Sequence, residues 1–306
     1  VGARRAMVIA VAEALGILGV AFSAGGPWPQ PWVHGAPGEP ILQVHQFGDG
    51  AYALRFSKTL SAVHPDGYEG NFVYLFVGGD TAALFDTGPL ALPVLRDAVR
   101  VLACCRPGSA VGRRLVVAHT HAHGDHVAGD ALWEGGDPGF SSVSVVGHSA
   151  EAVREFFGVR RWPDATGTLA LGGGRALELL PIPGHEASHL AVFDANGTGA
   201  LLTGDFLLPG RLYVEDDAAY VASALRLHAF AAPRLARGGL VLGCHIEMTR
   251  SPGVDYPLGS AYQPEEAALE LGVQDVEELL AALLGAYDPS QRLPRIPFAR
   301  YILFPV

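Results

Sequence analysis

The sequence predicts an α/β fold in which helices cover two β-sheets. Three observations favour it: short apolar strands crowd the stretch after residue 40, helical periodicity begins near Leu92 and then recurs, and 49% of the 306 residues are hydrophobic. A chain of this size and composition can bury a large core. Helices layered on two sheets are the simplest packing of these elements.

The strands are predicted from short apolar runs bounded by turn residues. They cover residues 41–47, 51–56, 71–77, 81–85, 115–118, 142–146, 175–182, 190–194, 200–203 and 240–242. The Gly78-Gly79-Asp80 turn predicts a hairpin, as does Asn196-Gly197. Apolar residues recur every three or four positions over residues 92–105, 150–157, 216–230 and 273–284, which predicts four helices.

The N-terminus is typical of an export signal. Arg4-Arg5 is followed by the apolar residues 6–22 and then by small residues around Ala24, which predicts a leader over residues 1–24 and a periplasmic or secreted protein. Glu13 interrupts the apolar run. An N-terminal membrane anchor is the alternative, but the run is near the lower length limit and Glu13 would be costly in a bilayer. No stable membrane span is expected once the leader is removed.

Charge and cysteine content narrow the class of partner. The net charge is −10, and Lys58 is the sole lysine. An acidic chain without a basic stripe is a poor candidate for binding a polyanion, so no nucleic-acid partner is expected. The three cysteines provide no disulfide framework.

A candidate metal site follows the predicted strand at residues 115–118. His121, His123, Asp125 and His126 form an H-x-H-x-D-H cluster. Residues two apart in an extended segment point the same way, so His121 and His123 can hold one ion, while Asp125 and His126 face a second position. Imidazole and carboxylate are ligands that zinc accepts. A solvated polar loop is the alternative, but four such residues within six rarely serve another purpose.

Three further candidate ligands each follow a short apolar strand. They are His185 in Pro183-Gly184-His185, Asp205 in Thr203-Gly204-Asp205 and His245 in Gly243-Cys244-His245. Layered sheets gather strand ends into one cleft, so these side chains are expected to meet the histidine cluster there.

Together with Asp86 in Leu84-Phe85-Asp86-Thr87-Gly88, these motifs resemble the complete set of the metallo-β-lactamase superfamily of hydrolases. The match spans residues 86–245 in order and spacing. The resemblance implies a four-layer αββα sandwich with a dinuclear metal cleft at one edge between the two sheets. A Pro/Gly-rich linker over residues 25–40 would precede a catalytic domain over 41–250. A C-terminal extension over 251–306 would pack on that domain and wall the cleft.

The resemblance also implies a division of the ligands between two zinc ions. One ion takes His121, His123 and His185, the other takes Asp125, His126 and His245, and Asp205 bridges them. Two dications, two carboxylates and a bridging hydroxide sum to one positive charge, which suits a polarised carbonyl group. The hydroxide would be the nucleophile and Asp125 the catalytic residue that holds it in line. Ligand type alone leaves iron and manganese open.

Other residues are candidates for supporting roles. Asp86 is expected to support the histidine loop, with a turn aspartate as the alternative, and His189 to stand behind a ligand or beside the substrate. His119 is expected to be a buried or hydrogen-bonded histidine, since seven better-placed ligands fill two sites. The segment after His245 carries candidates for substrate contact, with packing of a long connection as the alternative: Arg250, Tyr256 and Tyr262, with Arg211 less supported.

The predicted reaction is hydrolysis of a small carbonyl substrate, namely an ester, lactone, thioester or amide. True β-lactam-degrading members generally carry cysteine or serine where this chain has Asp205, yet β-lactam cleavage stays an alternative. The lysines and arginines with which glutathione thioesterases grip their substrate lack a counterpart, since no lysine follows Lys58. An oxidoreductase resembling the mono-iron persulfide dioxygenases, and a metal-binding protein without catalysis, are further alternatives.

Overall fold

The computed structural model describes residues 20–25, 28, 34–58, 60, 70–104, 112–235 and 238–306. Within these ranges the strands form three sheets. A seven-stranded sheet has the order β1 (Val20–Ala24), β2 (Leu42–Gly48), β3 (Ala51–Phe56), β4 (Phe72–Val77), β5 (Thr81–Phe85), β6 (Arg114–Ala118) and β7 (Ser142–Val145). The first pair is parallel, β2 to β5 are antiparallel, and β5 to β7 are parallel.

The second sheet is six-stranded and the third is small. The second contains β8 (Gly167–Gly172), β9 (Arg175–Pro181), β10 (Leu190–Phe193), β11 (Leu201–Gly204), β13 (Val241–Gly243) and β14 (Glu270–Leu271), in the order β14-β13-β11-β10-β9-β8. The third joins β12 (Arg211–Val214), β16 (Ile302–Pro305) and β15 (Ile296–Pro297) in that order.

The helices fall where the periodicity predicts them. They are α1 (Pro93–Cys104), α2 (Gly124–Val127), α3 (Ala150–Phe156), α4 (Asp217–Ala231) and α5 (Val273–Ala286), with a 3₁₀ turn at Asp130–Leu132. Among the helices of the described ranges, the single turn α2 and the 3₁₀ turn are the two without a predicted counterpart, because one turn is too short to show periodicity. None of the described helices combines the length and apolarity needed to cross a bilayer.

The two large sheets pack face to face, and helices cover their outer faces. On β4, Phe72, Tyr74 and Phe76 lie in the core between the sheets, whereas the alternating Val73, Leu75 and Val77 lie in the core beneath α1. On β10 the alternation repeats, with one face between the sheets and the other against α4 and α5. The predicted four-layer αββα sandwich is therefore the fold.

Backbone hydrogen bonds join the two sheets at the edge where the motifs converge. The Phe72 amide donates to the Cys244 carbonyl at 2.8 Å, and the Leu190 amide donates to the Thr120 carbonyl at 2.7 Å. Parallel pairing of β5 with β6 and of β11 with β13 sends the following residues out at this same edge. The ligand loops thus emerge from a seam fixed by main-chain bonds.

The N-terminal and C-terminal segments pack on this body. The predicted leader falls mostly on residues 1–19, outside the described residues, whereas Val20–Ala24 forms the edge strand β1. In the described part of segment 25–40, Trp28 is buried between the sheets and Glu39 accepts hydrogen bonds from Ser57 at 2.7 Å. Arg55 on β3 binds Glu266 through two hydrogen bonds of 2.7 Å, which ties the chain after His245 to the first sheet.

Candidate metal centre

The histidine cluster lies in the loop that leaves β6. The chain stays extended up to His123, which caps α2 with φ −65° and ψ 149°, and then makes the single helical turn that carries Asp125 and His126. Period-two geometry therefore aims His121 and His123 together, and the change to a helix turns Asp125 and His126 away from them. This switch in backbone period divides the cluster into two groups.

The first group is a triangle of imidazole nitrogens. His121 Nε2 lies 3.0 Å from His123 Nδ1, and His185 Nε2 lies 3.3 Å and 3.1 Å from those two atoms. A zinc ion bound tetrahedrally at about 2.0–2.1 Å from each nitrogen separates its ligand atoms by about 3.3 Å. The triangle has the size of one face of a zinc coordination shell.

In each ring of this group, one nitrogen points at the other rings (the inner nitrogen) and one points away (the outer nitrogen). The partner of the outer nitrogen indicates whether the inner nitrogen carries a lone pair. His185 Nδ1 donates to the Tyr213 carbonyl at 2.8 Å, and His123 Nε2 lies 3.2 Å from Glu215 Oε1. A neutral imidazole that donates through one nitrogen presents a lone pair on the other. Two lone pairs that face each other at 3.1 Å repel unless a cation lies between them. The residues therefore fit a metal ion.

The second group contains a carboxylate and two imidazoles. Asp125 Oδ2 lies 3.3 Å from both His126 Nε2 and His245 Nε2, and those nitrogens are 3.4 Å apart. The outer nitrogen of His126 contacts Asp86 Oδ2 at 3.0 Å, which again leaves the inner nitrogen facing the cluster. This group has the same size as the first and adds one negative charge.

Asp205 lies between the two groups. Its Oδ2 is 3.4 Å from His126 Nε2 and 3.3 Å from His245 Nε2, and 3.9 Å from the Nε2 atoms of both His121 and His185. Its Oδ1 is buried without a hydrogen-bond partner among the described residues. A buried carboxylate oxygen in that state is costly unless a cation satisfies it.

The pKa values differ between the two groups. Burial lowers the pKa of His121 and of His185, and neighbouring histidines lower it further. Burial also acts to lower the pKa of His245, but Asp205 and Asp125 outweigh it and raise that pKa to about 10. Despite burial, the histidines hold the pKa of both carboxyls, Asp125 and Asp205, well below the usual range. Both carboxylates are ionised at neutral pH and can bind a metal.

Comparison with known proteins agrees with this geometry. No family model matches the chain. A hydroxyacylglutathione hydrolase of Stenotrophomonas maltophilia is 28% identical over 77% of this chain and 84% of its own length. Another of the same name, from Nitrosococcus oceani, is 30% identical over 45% of this chain and 47% of its own length.

The solved structures that resemble the chain share its fold. A metallo-β-lactamase of Erythrobacter litoralis superposes with a TM-score of 0.51 at 18% identity, over 83% of this chain and all of that one. The FIM-1 metallo-β-lactamase of Pseudomonas aeruginosa, in a mono-zinc form, gives 0.51 at 15% identity over 82% and 98%. At these identities the structures show the fold of the chain, and the sequence relatives add the evidence on its family.

The sequence relatives and the shared fold together support a metallo-hydrolase of the metallo-β-lactamase superfamily.

Asp86 supports the ligand loop, which is one of the two roles that the sequence allowed for it. Its Oδ1 accepts from the Thr120 amide at 2.7 Å, and its Oδ2 accepts from the Thr120 hydroxyl at 2.9 Å and contacts His126. Its φ of 69° is the only positive value at a non-glycine residue in the described ranges. The strained backbone aims the carboxylate at the loop. The Cys244 thiol, wholly buried, donates to the same carboxylate at 3.4 Å.

Two other histidines, His189 and His119, lie near the metal centre but outside the two ligand groups. His189 is fully buried, and its ring stacks on that of His121 at 4.7 Å while its Nε2 contacts the Thr203 carbonyl at 3.1 Å. It packs behind a candidate ligand. His119 is buried and lies 2.9 Å from Asp130, so it is a buried, hydrogen-bonded histidine outside the two ligand groups.

Sequence reasoning missed the residues that orient the candidate ligands from elsewhere in the chain. Asn71 is fully buried, and its Nδ2 donates to Asp125 Oδ2 at 2.8 Å and to the Asp125 carbonyl at 3.0 Å. A signal existed, because a polar residue that opens an otherwise buried apolar strand must find partners. Glu215 contacts His123, but its side chain is 53% exposed. An acidic residue at the surface needs no buried partner, so nothing in the sequence pointed to this contact.

The candidates for substrate contact that follow His245 make contacts within their own segment. Arg250 lies 3.5 Å from Glu265, the Tyr256 hydroxyl accepts from the Glu265 amide at 2.7 Å, and Tyr262 is 57% exposed. Arg211 is buried and paired with Asp255 at 2.8 Å and Glu247 at 3.4 Å. Its guanidinium therefore anchors the segment.

Proposed function

We propose that this superfamily member is a dizinc hydrolase of small carbonyl substrates, with thioesters the leading class among esters, lactones, thioesters and amides. One observation carries the proposal: Asp205 Oδ2 lies 3.3 to 3.9 Å from inner nitrogens of both ligand groups. A carboxylate in that position can bridge two ions. Two bound zinc ions would supply a nucleophile by lowering the pKa of water toward about 7 and would polarise the carbonyl.

The residues of the metal centre would have different roles. His121, His123 and His185 would hold one ion and Asp125, His126 and His245 the other. Asp125, ionised and 36% exposed, can also accept a hydrogen bond from the attacking water and hold it in line with the carbonyl carbon. Asn71 fixes the orientation of that carboxylate.

The thioester preference draws on the relatives. Both are named hydroxyacylglutathione hydrolase, and one aligns over 84% of its length. No lysine follows Lys58. This weighs against a glutathione-binding site built from basic side chains, as in such enzymes. We therefore propose a thioester whose acyl group, rather than a glutathione moiety, provides recognition. β-Lactams and persulfides are the competing substrates for the same test.

Metal analysis paired with turnover tests the proposal. The purified protein is analysed by plasma mass spectrometry, and the same preparation is assayed on an acyl-glutathione, a thioester lacking glutathione, a lactone and a chromogenic β-lactam. At least two zinc ions per chain with faster turnover of the simple thioester would support the proposal. About one iron per chain with persulfide oxidation and no hydrolysis would overturn it.

We also propose that the protein is exported, on the basis of the N-terminal sequence alone. Expression in a suitable host followed by mass spectrometry of the exported protein is the test. A new N-terminus near Ala24 is expected. A product that retains residues 6–22 would contradict cleavage and favour the membrane anchor. Cleavage at Ala24 would remove the edge strand β1.

A further inference from the structure

A third set of metal-ligating side chains lies outside the two groups already described. His119 Nε2 is 2.9 Å from Asp130 Oδ1, and His148 Nε2 is 2.8 Å from Asp130 Oδ2. One ligand atom from each residue lies within 4.8 Å of the others. The geometry points to a separate mononuclear site for a borderline divalent cation such as Zn²⁺ at His119, Asp130 and His148.

The three donors come from different elements and converge. His119 follows β6, Asp130 opens the 3₁₀ turn after α2, and His148 lies in the connection from β7 to α3. Two imidazoles and a carboxylate form a donor set that zinc and related ions accept, with water completing the coordination. His119 is 4% exposed and His148 is 42% exposed, so the cluster opens to solvent on one side. An ion can enter there.

The imidazole pair has the geometry of the pairs in the main centre. The His119 and His148 rings are 4.7 Å apart and nearly perpendicular, at 89°. Within the first ligand group the three ring pairs are 4.6 to 4.7 Å apart at 74° to 82°. In this edge arrangement each ring can direct one nitrogen at a common ion, and the His119–His148 pair shares it with the first ligand group.

The carboxylate is prepared for a cation. The Thr87 hydroxyl donates to Asp130 Oδ1 at 2.8 Å, which orients the carboxylate in the way hydrogen bonds orient metal ligands. Burial acts to raise the pKa of Asp130, but its bonds to His119, His148 and Thr87 lower it, so the group is ionised. The Thr87 amide also donates to the His126 carbonyl at 2.8 Å. An ion here would brace the turn that carries His126.

The alternative is a His–Asp–His hydrogen-bonded chain without an ion, and metal counting separates the two. The metal-free protein is titrated with Zn²⁺ against a chromophoric chelator, in the wild type, in His148→Ala and in His148→Gln. His228→Ala is the matched control, because His228 is a partly exposed histidine on α4, remote in sequence from every ligand. We expect the His148 variants to bind one equivalent fewer than the wild type, and His228→Ala to bind as many.

A second experiment removes the carboxylate shared by the two ligand groups, which weakens the main centre. In an Asp205→Ala background, the site at His119, Asp130 and His148 should keep its wild-type affinity. Adding His148→Ala deletes one of its ligands and should weaken it by about 100-fold or more. Thermal unfolding of each variant confirms that it is folded. Equal Zn²⁺ counts in wild type and His148 variants would overturn the inference, and would do so whatever substrate the enzyme proves to hydrolyse.

Discussion

The two ligand groups of the metal centre are alike in size but differ in what holds them. The three-histidine group is oriented by the Tyr213 carbonyl and by Glu215, whose side chain is 53% exposed. The carboxylate-bearing group is oriented by Asp86 and Asn71, both fully buried. One group is therefore held partly from the solvent side and the other wholly from the core.

The difference also concerns charge. In the first group burial depresses the pKa of His121 and His185, so these imidazoles are neutral and ready to bind at neutral pH. In the second, the carboxylates raise the pKa of His126 and His245, so a metal ion must displace protons. We expect the first group to load without proton release and the second to load with it.

The largest expected effect comes from removing the charge of the second group. Asp125→Ala deletes a candidate ligand and the acceptor for the attacking water, so hydrolysis should fall on the order of 10³-fold or more. Zinc content should fall by about one ion per chain while the fold is retained. Steady-state kinetics and metal analysis provide the measurement. Asp164→Ala is the matched control, since Asp164 is exposed and pairs with Arg161 at 3.2 Å across a surface turn. An Asp125→Ala protein with full activity would refute the mechanism.

Asn71 tests whether the core orients the second group. Asn71→Ala removes the bond to Asp125 Oδ2 and should weaken the second zinc ion about 10–100-fold, with the first little changed. Titration with limiting zinc measures this, and excess zinc should restore much of kcat. A variant that loses both ions together, or that excess zinc does not rescue, would show that Asn71 serves the fold rather than the ligand.

Asn71 also marks how far the sequence could predict the site. The H-x-H-x-D-H run, His185, Asp205 and His245 were predictable because each follows a strand whose end must lie at the sheet edge. The four longer helices and ten of the strands were predictable to within a residue or two, because periodicity reports burial. Strands β1, β8, β12, β14, β15 and β16 were not predicted. The residues behind the ligands were not predictable either, because the Asn71 bond to Asp125 spans 54 positions and depends on how β4 meets the α2 turn.

Glu215 provides the counterpart on the exposed side. Its contact with His123 is open to water and screened by salt, so Glu215→Ala should weaken the first zinc ion by about tenfold, at the lower end of such effects. Glu215→Gln keeps an acceptor oxygen but loses the charge, so it should recover only part of the loss, and that part should not depend on salt. The comparison predicts that this effect shrinks at high salt, whereas the Asn71 effect does not. Equal salt dependence in zinc titrations of both variants would remove the distinction between the two groups.

The smallest effect is on the stability of the metal-free protein across pH. The raised pKa of His245, about 10, means that its stabilising contribution is fully present below the ordinary value of 6.5 and is lost as pH rises through 10. His121 and His185 act oppositely: their lowered pKa values favour the neutral form, so stability is lost as pH falls below 6.5. The unfolding temperature without metal should therefore peak near neutral pH and fall by a few degrees toward pH 10.

In the zinc-loaded protein the alkaline decline should vanish, because the ion has replaced the protons between His126, His245 and the carboxylates. A scanning calorimetry series with and without zinc checks both slopes, and an alkaline decline of equal size in the two forms would mean that the ion does not occupy the second group.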